Sequence, residues 1–114
     1  MIDIYLTEKN LRYGIKAVGH ADYAPKGQDI VCAAVSALLQ AYGNYIDQLA
    51  EYEKVKVLEV KLDEGDINVE ALDTRHNIKH MYRMVMSGLC DLACMYPGYI
   101  TAHFNEEEEK NKKN

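Results

Sequence analysis

The order of patterned segments predicts an α+β fold, a two-layer sandwich in which two helices pack on a mainly antiparallel sheet. Five short segments have the apolar–polar alternation or the β-branched composition of strands, and two longer segments repeat apolar residues at helical spacing. The resulting order is ββαββαβ: two hairpins, each followed by a helix, and a closing strand. The predicted strands span 2–7, 11–18, 55–62, 67–72 and 99–104.

Capping residues define where the two helices begin and end. Asp29 comes just before an apolar run and is a typical N-cap, so the first helix is predicted from there to about Tyr52. Asp73 or Thr74 is predicted to cap the second helix, which Pro97-Gly98 ends.

Length and charge limit the domain organisation and the partners. The 114 residues suffice for one core, so a single domain is predicted over 1–105, followed by a charged, disordered tail over 106–114. The formal net charge of −5 argues against nucleic-acid binding and suits a basic substrate. Three cysteines without framework spacing favour a reducing, cytoplasmic location. Because no apolar run approaches about 20 residues, neither secretion nor a membrane span is predicted.

The residues with catalytic potential concentrate in positions 19–36. His20 follows the end of the second predicted strand, and Cys32 falls at the third helical position after the Asp29 cap. Thiols at helix N-termini are more acidic than free cysteine, and a neighbouring histidine strengthens the effect, so this pair predicts a nucleophile. Two points stay open. Cys32 can be an ordinary core residue, as cysteines among small apolar residues often are, and the spacing along the chain does not establish contact between Cys32 and His20.

The loop between these two residues is predicted to be mobile and to fold over a bound peptide, because Pro25 and Gly27 interrupt regular structure. Asp22, Tyr23 and Pro25 are its predicted substrate-binding residues. The backbone N–H groups of Cys32 and of Ala33, the next residue, are expected to hold the oxyanion of an acyl-transfer reaction.

Two further pairs of potential ligands lie in the second predicted helix, His76 with His80 and Cys90 with Cys94. Each pair is spaced for one helical face, but the two pairs are separated by roughly 20 Å along a single helix and cannot share an ion. No metal and no cofactor are predicted.

Gly19-His20-Ala21, Gly27 and the run Asp-Ile-Val-Cys-Ala-Ala-Val-Ser-Ala at 29–37 together resemble the signature of the bacterial ribosomal-processing cysteine proteases, the Prp family. The match includes the spacing between His20 and Cys32 and is dense up to about Leu39. The resemblance implies that Cys32 is the nucleophile and His20 the general base and acid. The supporting positions that it implies are Asp29, Ser36, Gly19 and Gly27.

The resemblance also implies a function and an assembly. The function is an endopeptidase that removes a short N-terminal extension from a large-subunit ribosomal protein, number twenty-seven, and the assembly is a homodimer. Two other functions remain open from the sequence. One is a non-enzymatic module that binds a peptide or a ribosomal surface with an inert Cys32. The other is a protease of the same type that acts on a phage structural precursor.

Overall fold

The computed structural model describes residues 1–105 and has the predicted order of elements. The elements are β1 (Ile2–Lys9), β2 (Arg12–Gly19), α1 (Ile30–Glu51), β3 (Val55–Asp63), β4 (Asp66–Asp73), α2 (Lys79–Met95) and β5 (Ile100–Phe104). The predicted α+β fold class is confirmed. The charged tail predicted over 106–114 lies outside the described residues.

The five strands form one mixed sheet in the order β3-β4-β2-β1-β5. The β1–β2, β2–β4 and β3–β4 pairs are antiparallel, whereas β5 runs parallel to β1. The pairing of β2 with β4 joins the two hairpins, and its register places Val18 opposite Asp66. The turn between β3 and β4 therefore lies beside the end of β2, close to His20.

The core lies between one face of the sheet and the two helices. Alternate residues of the strands point into it, as the period of a half-buried strand requires. Its fully buried side chains include Ile4, Ile15 and Val69 from the sheet and Leu39 and Leu89 from the helices. Within residues 1–105, neither helix has the length and apolar character needed to cross a membrane.

The second helix starts later than predicted, at Lys79 with Ile78 as its N-cap. Asp73 is buried, and its carboxylate accepts hydrogen bonds from the backbone N–H groups of Thr74, Arg75 and Ile78 at 2.8, 3.3 and 2.8 Å. Neither Asp73 nor Thr74 is the cap, so that prediction is wrong. The aspartate instead stabilises a non-helical loop, because its carboxylate accepts from the N–H groups of that loop.

Candidate active site

A cavity of about 500 Å³ lies where β2 ends, α1 begins and the β3–β4 turn approaches. His20 and Cys32 both line it. The other lining residues that the sequence singled out are Gly19, Asp22, Gly27, Asp29, Ala33 and Ser36. The fold thus brings together, around one concave space, a set of residues that lie up to 17 positions apart in the sequence.

Asp29 is the N-cap of α1, as predicted. One carboxylate oxygen accepts from the backbone N–H groups of Val31 and Cys32, each at 3.0 Å, and the other accepts from the N–H of Tyr23 at 3.0 Å. Partial burial acts to raise the pKa of Asp29, but the hydrogen bonds from backbone N–H groups outweigh it, so the pKa lies below its ordinary value. One charged side chain therefore holds both the helix start and the loop before it.

Cys32 lies at the third position of α1, half-buried, and its sulfur accepts a hydrogen bond from the backbone N–H of Ala21 at 3.3 Å. Burial raises the pKa of the Cys32 thiol above its ordinary value, and the negative charges of Asp29 and Asp22 raise it further. The expectation of an acidic thiol is wrong for this conformation. The main physical reason is that burial disfavours the charged thiolate; the Asp29 carboxylate, which already accepts from N–H groups of the helix start, adds a negative charge beside the sulfur.

The imidazole of His20 is exposed and lies against the turn between β3 and β4. Gly65 in that turn has φ +74°, and a Cβ built on it would lie 2.6 Å from Nε2 of His20. In the part of the chain that the structure describes, no hydrogen bond joins this ring to Cys32. The two residues line the same cavity with no hydrogen bond between them among the described residues, so a rotation of the imidazole must precede proton transfer between them.

The loop before α1 contributes to the cavity unevenly. Asp22, at φ +55°, lines it, whereas Tyr23 and Pro25 are not among the lining residues. The Tyr23 ring instead packs edge-on against Tyr96 and Tyr99, with centroid separations of 5.5 and 5.1 Å. In this conformation Tyr23 therefore anchors the loop to the segment after α2 and leaves the cavity to its neighbours.

The three remaining supporting positions, which all line the cavity, are Gly19, Gly27 and Ser36. Gly19 has φ +104°, and a Cβ there would collide with the carbonyl oxygen of Met1, so this position requires glycine. Gly27 has φ +90° with open space around it, as suits a loop. Ser36 is half-buried and lies one turn beyond Cys32 on α1.

The wall opposite α1 was missed by the sequence analysis. Glu64, Gly65, Asp66 and Ile67 come from the β3–β4 turn and the start of β4, a segment whose acidic composition predicts only a solvated turn. The Glu64 carboxylate lies 3.5 Å from the ammonium group of Lys26, and this exposed ion pair links the loop to the turn. A single sequence holds no local signal for this wall, because it depends on the pairing of β2 with β4.

The expected oxyanion donors are already hydrogen-bonded. The N–H of Cys32 donates to the Asp29 carboxylate, and the N–H of Ala33 donates to the backbone carbonyl of Asp29 at 3.1 Å. In this conformation neither group is available to an oxyanion without losing a bond of the helix start.

The other histidines and cysteines form no metal site. His76 precedes α2 and His80 lies within it, so the expected common helical face does not exist. Cys90 and Cys94 both lie on α2. Among residues 1–105, no three His, Cys, Asp or Glu side chains are placed to hold an ion.

A thiol and an imidazole around one cavity, on a two-layer α+β scaffold, define the class of site that thiol hydrolases use. Comparison with known families identifies the particular family of thiol hydrolases. The profile of the family described as "Cysteine protease Prp" matches residues 1–101. The chain belongs to the cysteine protease Prp family, and it is a cysteine protease.

Individual relatives agree with this assignment. The ribosomal processing cysteine protease Prp of Mycoplasma genitalium is 34% identical over 91 residues, which cover 80% of this chain and 85% of that protein. The essential ribosomal processing protease Prp of S. aureus, solved with a covalently linked product peptide, superposes with a TM-score of 0.76 at 24% identity, over 91% of this chain and 99% of that one. SMU.848 from Streptococcus mutans superposes with a TM-score of 0.66 at 26% identity, over 91% of this chain and 93% of that one. The S. aureus comparison concerns the fold alone.

Proposed function

We propose that this cysteine protease is an endopeptidase in which Cys32 is the nucleophile and His20 the general base and acid. The observation that carries the proposal is that both side chains line one cavity, with Cys32 in the first turn of α1. Asp29 and Ser36 support the site, and the protease domain spans residues 1–105.

The reaction begins with the proton on Cys32, because burial and the nearby carboxylates hold its pKa above the ordinary value. When the imidazole of His20 turns from Gly65 toward the sulfur, it takes this proton and leaves an ion pair. The thiolate attacks the peptide carbonyl carbon, the carbon–nitrogen bond breaks, and the imidazolium gives its proton to the leaving amine. Water, deprotonated by His20, then cleaves the thioester and regenerates the thiol.

The proposed substrate is a large-subunit ribosomal protein, number twenty-seven, from which the enzyme removes a short N-terminal extension. The M. genitalium relative, a ribosomal processing cysteine protease, supports this choice. The formal net charge of −5 also suits a basic ribosomal protein, since opposite charge speeds encounter. A cytoplasmic location and a homodimer complete the proposal.

The test is cleavage of the ribosomal precursor and of a phage structural precursor, followed by mass spectrometry of the fragments. Cys32→Ala and His20→Ala should each lose most of the rate, since the members of a catalytic dyad act as a unit. Cys90→Ala is the matched control, because it removes a half-buried thiol on α2 that does not line the cavity.

Cleavage by Cys32→Ala at the wild-type rate would refute the nucleophile. Cleavage of the phage precursor alone would refute the ribosomal substrate while leaving the dyad in place.

A further inference from the structure

The first N–H groups of α1 already donate hydrogen bonds to Asp29, so the oxyanion of the reaction needs another donor. The N–H groups of Val31 and Cys32 donate to the Asp29 carboxylate, and that of Ala33 donates to the Asp29 carbonyl. Recruiting any of them would break a capping bond at the moment of reaction. A donor that is free of such bonds and already aimed at the reacting atoms costs no such reorganisation.

The backbone N–H of Ala21 meets both requirements. It points at the sulfur of Cys32, 3.3 Å away, and Ala21 is only 3% exposed. When the sulfur bonds to the peptide carbonyl carbon, the electron pair of the C=O bond moves to an oxygen that lies two covalent bonds from the sulfur. A donor that contacts the sulfur before attack is therefore close enough to reach the oxygen after attack, and the N–H of Ala21 does so from behind His20 and Asp22, the neighbours that line the cavity.

Two backbone contacts hold this donor in place. On one side, the N–H of Gly19 donates to the carbonyl of Gly65 at 3.0 Å. On the other side, the N–H of Tyr23 donates to the Asp29 carboxylate at 3.0 Å. Ala21 lies between these two bonds, so its N–H is fixed relative to Cys32 before the substrate arrives.

We propose that the backbone N–H of Ala21 is an oxyanion donor of this protease, a role that rests on the proposed Cys32 nucleophile. The same group then contacts the sulfur before attack and the oxyanion after it. Because the donor is a main-chain group, side-chain substitutions at this position do not report on it.

The test replaces single backbone N–H groups by ester oxygens in the full chain, with lactic acid introduced in place of an alanine. The Ala21 ester removes the proposed donor, and the Ala33 ester removes a helix-start donor with the same chemical change. With the Ala21 ester, kcat for precursor cleavage should fall about 100- to 1000-fold with little change in KM, the effect of losing one oxyanion donor. With the Ala33 ester, kcat should fall by less than about tenfold.

A second assay separates catalysis from distortion of the site. Alkylation of Cys32 by iodoacetamide forms no oxyanion, so the Ala21 ester should react at nearly the wild-type rate once each rate is corrected, from its dependence on pH up to mildly alkaline values, for the fraction of thiolate. If the Ala21 ester keeps its kcat, or if the Ala33 ester loses as much, the donor role is refuted. Activity in Cys32→Ala would refute Cys32 as the nucleophile and, with it, Ala21 as the donor. No activity in Cys32→Ala, together with full activity in the Ala21 ester, would refute the Ala21 donor alone.

A measurement on the unmodified backbone guards against a variant that fails to fold. In the wild-type chain labelled with ¹⁵N-alanine, a peptide aldehyde adds to the Cys32 thiol, a carbon–sulfur bond forms and the former carbonyl oxygen becomes an oxyanion or hydroxyl. The Ala21 amide proton should move downfield in the NMR spectrum, as expected for a stronger hydrogen bond. An unshifted Ala21 amide with a shifted Ala33 amide would assign the donor to the helix start instead.

Discussion

Asp29 combines a structural and an electrostatic role, and two substitutions separate them. Its carboxylate accepts from two N–H groups of α1 and from the N–H of Tyr23 in the loop. Asp29→Ala loses the cap, at about 1 kcal/mol, and the loop bond, at about another 1 kcal/mol. The expected loss of about 2 kcal/mol lowers the melting temperature by about 8 °C for a domain of this size. Asp29→Asn keeps one acceptor oxygen for the helix cap but replaces the oxygen that accepts from Tyr23 by an NH2 group. It should therefore lose the loop bond, about 1 kcal/mol, and melt between the wild type and Asp29→Ala.

The charge of Asp29 has a separate effect on Cys32, since the carboxylate is one of the groups that raise the pKa of the thiol. In Asp29→Asn the thiol pKa should fall, and alkylation of Cys32 at neutral pH should be faster than in the wild type. The measurement is the rate of iodoacetamide labelling against pH, with Cys90 and Cys94 labelling in the same samples as internal references. A slower reaction in Asp29→Asn would refute the electrostatic argument, and an unchanged melting temperature in Asp29→Ala would refute the structural one.

The pH dependence of stability follows from the lowered pKa of Asp29. A carboxyl group whose pKa is lower in the folded than in the unfolded chain adds stability above its unfolded pKa of about 3.9, and loses that contribution as the pH falls through the folded value. Urea unfolding from neutral pH down to the acid range should therefore show a smaller acid-induced loss in Asp29→Asn than in the wild type. Equal losses of stability in the two proteins would contradict the lowered pKa of Asp29.

Two other matched pairs test the site and the core. Gly65→Ala should raise the rate of precursor cleavage, because a Cβ there would lie 2.6 Å from Nε2 of the resting His20 ring and would favour the rotated imidazole that the proposed reaction needs. Gly98→Ala, at a similar φ of +87°, has open space around it and should keep the wild-type rate at a comparable backbone cost. Equal rates for the two variants in a cleavage assay would contradict this interpretation of the wall. Tyr82→Phe should lose about 1 kcal/mol in urea unfolding, because its hydroxyl donates to a backbone carbonyl of β2 at 3.2 Å. Tyr42→Phe should be neutral or stabilising, because its hydroxyl is buried with no partner among the described residues, and a loss as large as that of Tyr82→Phe would refute this.

Features that depend on neighbouring residues in the chain were predictable from the sequence. Hydrophobic period and turn residues predicted all seven elements in order, and an aspartate before an apolar run placed Cys32 in the first turn of α1. The start of α2 was mispredicted because it depends on tertiary packing. Asp73 has the composition of a cap, but whether its side chain holds a helix or a loop depends on the burial of that aspartate, which composition does not reveal.

The sequence by itself determined the elements and the placement of Cys32 at a helix start and of His20 at the end of a strand; the tertiary structure decided that both line one cavity. The pairing of β2 with β4 is non-local, and it alone brings Gly65 against the imidazole and closes the cavity. The pKa of Cys32 is decided in the same way, because burial and the carboxylates around the sulfur raise it by more than the hydrogen bond from Ala21 lowers it. Local periodicity follows from short-range sterics, whereas desolvation and contacts across a sheet exist only once distant segments have packed.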